Sequence, residues 1–162
     1  MNEFSAIPHS LENAELTGSD AVLALAAAVR ESGNIFISKA LERRGIMDIL
    51  PAHGAVLHVL FAAGPLRMQD IALRIGKRRN TVTGLINTLS ARGYCSRETD
   101  KNDGRAQLVS LTAKGERLRQ VYEDISRELR QKMWRGISTE AREACAETLE
   151  NLLRNLKTDT PE

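Results

Sequence analysis

The stretch Lys77–Gly93 constrains the fold of this chain more than any other segment. Its apolar residues recur with the spacing of one face of an amphipathic α-helix, at Val82, Leu85, Ile86 and Leu89. Asn80 is the nearest residue of a type that caps helix N-termini well, and Gly93 stands where a C-terminal glycine ends a helix. We therefore predict an amphipathic helix between these two residues, with its apolar stripe buried.

The remaining face of this helix is narrow and polar, and its N-terminal end is basic. Such a helix fits the major groove of DNA, because cations and backbone N–H groups can meet phosphates while short side chains reach base edges. A charge run is often only a solvated surface, but this one stands at the start of the helix. We interpret the segment as a DNA recognition helix whose contacts are Lys77, Arg78, Arg79, Asn80, Thr81, Thr83, Gly84 and Asn87.

The sequence on both sides of this helix predicts a winged helix. Met68–Ile75 has an apolar face of its own, and Gly76 then provides a tight turn, which is the plan of a helix-turn-helix. Tyr94–Thr99 and Ala106–Leu111 are strand-like, and the pair Asp103-Gly104 between them predicts the tip of a β-hairpin. The fold class that follows is mainly α with a small β-hairpin wing.

The segment Gly93–Gly115 resembles the wing signature of MarR-type transcriptional regulators. That signature is an aspartate, then Asp-x-Arg, then an apolar strand ending in Leu-Thr-x-x-Gly, and its places are occupied here by Asp100, Asp103, Arg105, Leu111, Thr112 and Gly115. Asn80–Leu89 is similar to the recognition helix of the same family. The chain departs from the family at Gly84, where many members carry a large and often basic residue, and at Asn102 and Gly104, where arginines are common.

Asp100 and Asp103 are the expected supports of the wing, and Arg105 is its expected DNA contact. From the tip of a hairpin an arginine can reach a phosphate or the neighbouring minor groove. Arg105 can also pair with Asp103 and hold the hairpin, and both interactions can occur at different times or through different atoms.

Helices are also predicted on both sides of the winged helix. The first runs from Asp20 to about Arg44 with Ser19 as its cap, and Ser32-Gly33-Asn34 interrupts its pattern. Pro51 suits the first turn of a second helix that reaches Ala63. After the wing, Thr112 can cap a helix to about Arg135, and Ser138 can cap the last one. The expected segments are a flexible N-terminal arm (1–18), an N-terminal helix (19–50), the winged helix (51–112) and C-terminal helices (113–162).

The flanking helices carry more apolar surface than a winged helix of ordinary domain size needs. We expect a homodimer whose interface includes Leu118, Val121, Tyr122, Ile125, Leu129, Leu149, Leu152, Leu153 and Leu156. The resemblance implies the same assembly, because MarR-type regulators dimerise through their N- and C-terminal helices. It also implies a repressor that is released from a pseudo-palindromic operator by a small-molecule effector.

Charge supports double-stranded DNA as the partner through its distribution rather than its total. The net charge of the chain is only +2, but residues 67–105 hold nine basic and four acidic side chains, a net of +5 that leaves −3 for the rest. No apolar run is long enough to span a membrane, and no signal peptide opens the chain. The two cysteines lack metal-binding or redox spacing, so we expect a reducing cytoplasm and no cofactor.

Several single residues allow more than one role. Cys95 can be a redox sensor or a core residue, and a structural role is favoured for it and for Cys145. His53 and His58 are not spaced as ligands on one helix face, so a structural His53 is preferred to metal sensing. Trp134 and Tyr122 can line an effector pocket, but helix packing explains them more simply.

Two other classes of function were considered for the whole chain. An enzyme has no support, because the sequence lacks a nucleophile elbow, a phosphate-binding glycine loop and a suggestive pair of acid and histidine. A winged helix can also serve as a protein-interaction module, but the basic start of the recognition helix disfavours that alternative. A redox- or metal-responsive regulator of the same fold remains the other alternative.

Overall fold

The computed structural model describes residues 21–100 and 103–158, which are mainly helical with one small sheet. The helices are α1 (Val22–Glu42), α2 (Pro51–Ala63), α3 (Met68–Ile75), α4 (Arg79–Ala91), α5 (Ala113–Glu116), α6 (Leu118–Met133) and α7 (Thr139–Thr158). The strands are β1 (Leu66–Arg67), β2 (Cys95–Asp100) and β3 (Asp103–Leu111). This confirms the predicted mainly α fold with a wing, while the arm over 1–18 and the cap Ser19 lie outside the described residues.

The chain divides into two compact units, one ending at Ile125 and the other beginning at Ser126. The predicted boundary between 112 and 113 therefore lies inside the first unit. No helix of the described residues is long and apolar enough to cross a membrane.

The core of the first unit lies between the helix-turn-helix, α2 and the sheet. Side chains from each element are fully buried, namely Val56, Leu57, Leu60, Ile71, Val82, Ile86, Leu89 and Val109. The predicted stripe of α4 thus faces inward at its three positions Val82, Ile86 and Leu89, and Leu85 packs partly buried against the same core. Each buried aliphatic side chain of this kind contributes about 1.5–3 kcal/mol.

The first helix is continuous through Ser32-Gly33-Asn34, where the sequence pattern is interrupted. It ends at Glu42 rather than near Arg44, and its C-terminal residues Ala40 and Leu41 are buried in the core. Earlier in the helix the large apolar side chains are exposed, at Leu23, Leu25, Val29 and Ile35.

The sheet is antiparallel with strand order β1-β3-β2. Asp103 lies opposite Asp100 in the ladder, and both Asp103 and Gly104 belong to β3. The prediction that Asp103-Gly104 forms the hairpin tip was wrong, because both residues lie in β3 and Asp103 still pairs with Asp100. The register is irregular next to this pair, since Thr99 pairs with Gln107. Residues 101–102, which connect the strands, lie outside the described residues.

The predicted helix from Thr112 to about Arg135 is divided at Arg117 into α5 and α6. Thr112 caps α5 as expected, because its Oγ1 accepts a hydrogen bond from the N–H of Gly115 at 3.2 Å. Gly115 is required here, since a Cβ at that position would lie 2.2 Å from the carbonyl oxygen of Tyr94.

Four of the expected interface residues belong instead to the core of the first unit. Leu118 and Ile125 are buried, and Val121 and Tyr122 are partly buried against the same core. The sequence could not distinguish the two cases, because a face of α6 that packs in its own unit shows the same apolar repeat as a face buried between subunits. Tyr122 packs on Phe61, with ring centroids 5.9 Å apart.

In the second unit, Ser138 caps α7 as predicted, with its Oγ accepting from the N–H of Ala141 at 3.3 Å. Cys145 and the leucines Leu149, Leu152, Leu153 and Leu156 are all exposed, and Leu129 of α6 is half-buried. A core role for Cys145 within its own chain is therefore wrong.

Candidate nucleic-acid interface

The turn between α3 and α4 places the basic residues at the start of the second helix. Gly76 adopts a left-handed conformation (φ 63°, ψ 36°) that ends α3, and extended backbone at Arg78 then leads into α4. The predicted cap Asn80 was wrong, because Arg78 stands at the N-cap, two residues earlier, and its carbonyl accepts from the N–H of Val82 at 3.2 Å. Within the described residues, no side chain caps this helix N-terminus.

An uncapped helix start surrounded by cations suits an anion. The first N–H groups of a helix have no partner within the helix, and they point along its axis with the positive end of its dipole. Lys77, Arg78 and Arg79 are all exposed around them. This end of α4 can therefore receive a phosphate of a nucleic-acid backbone.

The predicted polar face of α4 is open on the surface of the first unit. Asn80, Thr81, Gly84 and Asn87 are exposed, and Thr83 is half-buried. The hydroxyl of Thr83 donates to the carbonyl of Arg79 at 2.9 Å, so only its acceptor lone pairs remain for another partner. Apart from the backbone of α4 itself and the two chain neighbours, no atom of the described residues lies within 4 Å of where a Cβ on Gly84 would stand. Because Gly84 has no side chain, this face is narrow at its centre.

Asn87 is joined to the wing by a side chain that was not predicted from the sequence. The guanidinium of Arg97, on β2, donates from Nη2 to Oδ1 of Asn87. The bond connects residues ten positions apart across the helix and the strand. Nothing in the spacing of the two residues indicates it, because the crossing angle of helix and strand decides which side chains meet.

Arg67 on β1 supports the wing through both predicted aspartates. Its Nε and Nη2 each lie 2.7 Å from Oδ2 of Asp100, and its Nη1 lies 3.7 Å from Oδ2 of Asp103. The Asp100 side chain is only 11% exposed, so this pair is screened less than an ordinary surface ion pair. Arg67 is therefore an ion-pair partner of both Asp100 and Asp103. From the sequence, Arg67 was counted only among the basic residues of the segment 67–105.

Arg105 lies within β3, two residues after its start, and not at the tip of the hairpin as predicted. Its strand is the central one of the sheet, between β1 and β2. The position is still close in sequence to residues 101–102, which connect β2 and β3.

The C-terminal end of α4 is fixed by a group of side chains that were not predicted. The guanidinium of Arg92 donates to the carbonyl of Asp48, and the hydroxyl of Tyr94 donates to Oδ1 of Asp48 at 2.9 Å. Lys114 donates to the carbonyl of Arg92 at 2.8 Å and lies 4.0 Å from the centre of the Tyr94 ring. Burial and the bond to Asp48 raise the pKa of Tyr94 to about 12, so its hydroxyl remains a donor.

Thr112 adds two further bonds at the same end. Its hydroxyl donates to the carbonyl of Gly93 at 2.6 Å, and its N–H donates to the carbonyl of Tyr94 at 3.0 Å. The end of the helix, the start of the wing and the start of α5 therefore meet at one residue.

His53 has a structural role in this unit. It is buried, and its Nδ1 accepts from the N–H of Leu50 at 3.0 Å, which satisfies a backbone donor just before the first turn of α2. Burial, and after it the positive charge of Arg92, hold the pKa of His53 below its usual value. No group of three or more His, Cys, Asp or Glu side chains that could hold a metal occurs among the described residues.

Cys95 is buried, and burial raises the pKa of its thiol to about 11. A protonated and enclosed thiol reacts poorly, which favours the structural role over redox sensing. Tyr122 packs on Phe61 and under Gly54, and the guanidinium of Arg142 lies 5.8 Å from the centre of the Trp134 ring. These contacts favour helix packing for both aromatic residues.

Comparison with known proteins agrees with this geometry. Residues 49–106 match the model of the MarR family, and they contain α2, the helix-turn-helix and most of the wing. The chain is 37% identical over 73 residues to the uncharacterized HTH-type transcriptional regulator YkoM of Bacillus subtilis (strain 168), covering 44% of this chain and 47% of that protein. The chain spans about half the length of the curated relatives it matches.

Solved structures extend the similarity of the fold beyond that segment. A MarR transcriptional regulator from Methanosarcina mazei Go1 aligns with a TM-score of 0.72 and 22% identity, covering 86% of this chain and 98% of that one. BpsR of Bordetella bronchiseptica, whose DNA binding is regulated by 6-hydroxynicotinic acid, aligns with a TM-score of 0.69 and 22% identity, covering 81% and 97%. At these identities the structures establish the fold.

Proposed function

We propose that this chain, whose residues 49–106 are a MarR-family domain, is a transcriptional regulator that binds double-stranded DNA. The single observation that carries the proposal is α4, whose basic and uncapped N-terminus precedes an open, narrow, polar face. Asn80, Thr83 and Asn87 would approach base edges in the major groove, and Lys77, Arg78 and Arg79 would meet phosphates. Arg105 would contact the neighbouring minor groove or its phosphates from the wing.

We propose further that the DNA-binding form is a homodimer. The exposed leucines of α7 and the exposed apolar residues of α1 are candidates for burial against a second subunit, because large apolar groups in rows along a helix seldom face water without a partner. Leu129, Leu149, Leu152, Leu153 and Leu156 remain in this proposed interface, whereas the residues that pack in the core of the first unit do not. Two recognition helices related by a two-fold axis would bind half-sites centred about 10 base pairs apart.

The proposed direction of regulation is repression relieved by a small molecule. The support is the fold shared with BpsR, which is described as regulated by 6-hydroxynicotinic acid. The alternative of a winged-helix protein-interaction module is disfavoured by the cations at the start of α4, which would not be needed for it.

The test is binding of the full-length protein to duplex DNA selected from a random library, measured by fluorescence anisotropy across a salt series. We expect enrichment of a pseudo-palindrome and an affinity that falls steeply with salt, with a slope of about −0.9 per phosphate contact. Arg105→Ala should weaken binding to selected and random DNA alike and reduce the slope by about one unit for each phosphate that Arg105 neutralises. Absence of any enriched sequence, or an affinity independent of salt, would refute DNA binding as the function.

The dimer is tested separately by light scattering of the intact chain and of Leu152→Glu/Leu156→Glu, which places charges on the exposed row of α7. We expect a dimer that dissociates in this variant while the first unit stays folded. Leu23 on α1 offers a matched single change, Leu23→Glu. A monomeric parent protein would contradict the assembly.

A further inference from the structure

The bond between Arg97 and Asn87 restricts what the recognition helix can read. We propose that Arg97 is a positioning residue that fixes the amide of Asn87 as a hydrogen-bond donor, so that α4 selects guanine at one base pair of each half-site. The inference deepens the proposed function and rests on it, because it requires α4 to lie in the major groove.

The orientation of the amide follows from the chemistry of the pair. A guanidinium has donors and no acceptor, whereas an asparagine side chain has one acceptor oxygen and a donor NH₂ group. Only Oδ1 of Asn87 can therefore face Arg97, and the structure has Oδ1 as the acceptor of this bond. The NH₂ group is left for the exposed face of the helix.

Arg97 is placed so that it holds this orientation. It lies in the middle of β2, paired with Val109 of β3, and follows the buried Cys95 by two residues. The side chain is half-buried and its Nε is fully enclosed without a hydrogen-bond partner among the described residues, so packing limits the movement of the guanidinium. Charge assistance strengthens its bond to Asn87 relative to a bond between neutral groups.

The base preference follows from the pattern of donors and acceptors in the major groove. An asparagine that reads adenine in two bonds needs both its oxygen, for N6, and its NH₂ group, for N7. Here the oxygen faces Arg97 while the NH₂ group faces the open side of the helix, so the two groups are not both directed at one adenine edge. Guanine presents two acceptors, O6 and N7, on its major-groove edge, whereas adenine presents one acceptor beside a donor and thymine one acceptor beside a methyl group. Cytosine presents only a donor. An amide fixed as a donor therefore suits guanine and is mismatched with cytosine.

The test compares base preferences of full-length variants on a duplex library randomised around the selected sequence. Arg97→Met keeps an aliphatic stem and removes every donor, which frees the amide to rotate. We expect the preference for guanine over adenine at one position per half-site to fall by about fivefold or more, with adenine enriched, and other positions unchanged. Arg97→Lys retains a donor and should keep the preference, and Arg117→Met, at an exposed arginine between α5 and α6, controls for the removal of a positive charge.

Asn87→Asp provides an independent variant, because it keeps an acceptor for Arg97 and removes both amide donors. Asn87→Asp should abolish the guanine preference. Circular dichroism shows whether Arg97→Met folds, and Asn87→Asp still tests the inference if Arg97→Met does not. Unchanged base preferences in Arg97→Met or Asn87→Asp overturn the inference while leaving the proposed function intact. A uniform loss of affinity with a lower salt slope in Arg97→Met also overturns it, because Arg97 would then be a phosphate contact. Failure of the parent protein to select any sequence overturns both.

Discussion

At the C-terminal end of α4, Lys114 and Thr112 donate hydrogen bonds to the carbonyls of Arg92 and Gly93, and the side chains of Arg92 and Tyr94 donate to Asp48. At the N-terminal end, no side chain of the described residues caps the helix. The C-terminal end uses its polar groups in bonds within the chain, whereas the N-terminal end leaves its N–H groups and three cations exposed to solvent. The contrast separates two tasks along one helix. Changes at the C-terminal end should alter stability, and changes at the N-terminal end should alter the proposed DNA binding.

The largest effect is expected from Gly115→Ala at the fixed end. The added Cβ would stand 2.2 Å from the carbonyl oxygen of Tyr94, a backbone atom that cannot move without disturbing the end of α4. Strain of this kind should lower the free energy of unfolding by about 3 kcal/mol, measured by urea denaturation.

Gly84→Ala is the matched control on the open face of α4, where the added group would meet no atom of the described residues within 4 Å other than its chain neighbours and the backbone of the same helix. Alanine in a helix interior is better than glycine by about 0.8–1.0 kcal/mol, so this variant should be more stable than the parent protein. The contrast between the two regions would be refuted if both glycines gave the same loss of stability.

The next effect is expected from Arg79→Ala at the exposed end. Removal of one phosphate contact in each subunit should lower the salt slope of DNA binding by about 0.9 per contact. The free energy of unfolding should stay within about 0.5 kcal/mol of the parent value, because the side chain is exposed.

Arg92→Ala provides the corresponding change of charge at the other end. It removes a hydrogen bond to the carbonyl of Asp48 and should cost about 1 kcal/mol of stability while leaving the salt slope nearly unchanged. The assignment of the two ends would be wrong if Arg92→Ala lowered the salt slope of DNA binding while Arg79→Ala lowered the free energy of unfolding.

An effect on stability as small as that of Arg92→Ala is expected from Tyr94→Phe, which removes the bond to Asp48 and should cost about 1 kcal/mol at neutral pH. Its pH dependence is more specific. The pKa of Tyr94 is raised from 10.0 to about 12 in the folded protein, so the unfolded chain loses this proton first as pH rises. Stability should fall between pH 10 and pH 12, and this fall should be shallower in Tyr94→Phe when unfolding is followed across that range. Equal alkaline slopes in both proteins would mean that Tyr94 is not the group responsible.

Periodicity was enough to predict α4, because burial of Val82, Ile86 and Leu89 imposes a helical repeat on the sequence. The wing strands were found from alternation and turn residues, but β1 was not, since the two residues Leu66 and Arg67 are too few to show a period. The Asp103-Gly104 turn was predicted wrongly, because local turn preference was weaker than the pairing of Asp103 with Asp100.

The side-chain partners were less accessible from the sequence. Arg67 and Asp100 are 33 positions apart, and Tyr94 and Asp48 are 46 apart, so only the packed fold brings them together. The apolar stripe of α6 was visible, but a stripe does not specify what covers it. Leu118 and Ile125 are buried in the first unit, whereas Leu149, Leu152, Leu153 and Leu156 of α7 are exposed.

Thr112 has a consequence for the motions of the molecule. Because its backbone and hydroxyl bond to Gly93 and Tyr94 while it also caps α5, the wing cannot separate from the end of α4 unless those bonds break together. Regions joined in this way tend to open as one cooperative unit in native-state hydrogen exchange. The amides of Thr112, Tyr94 and Gly115 should therefore exchange with a common opening free energy, and Thr112→Val should accelerate all three.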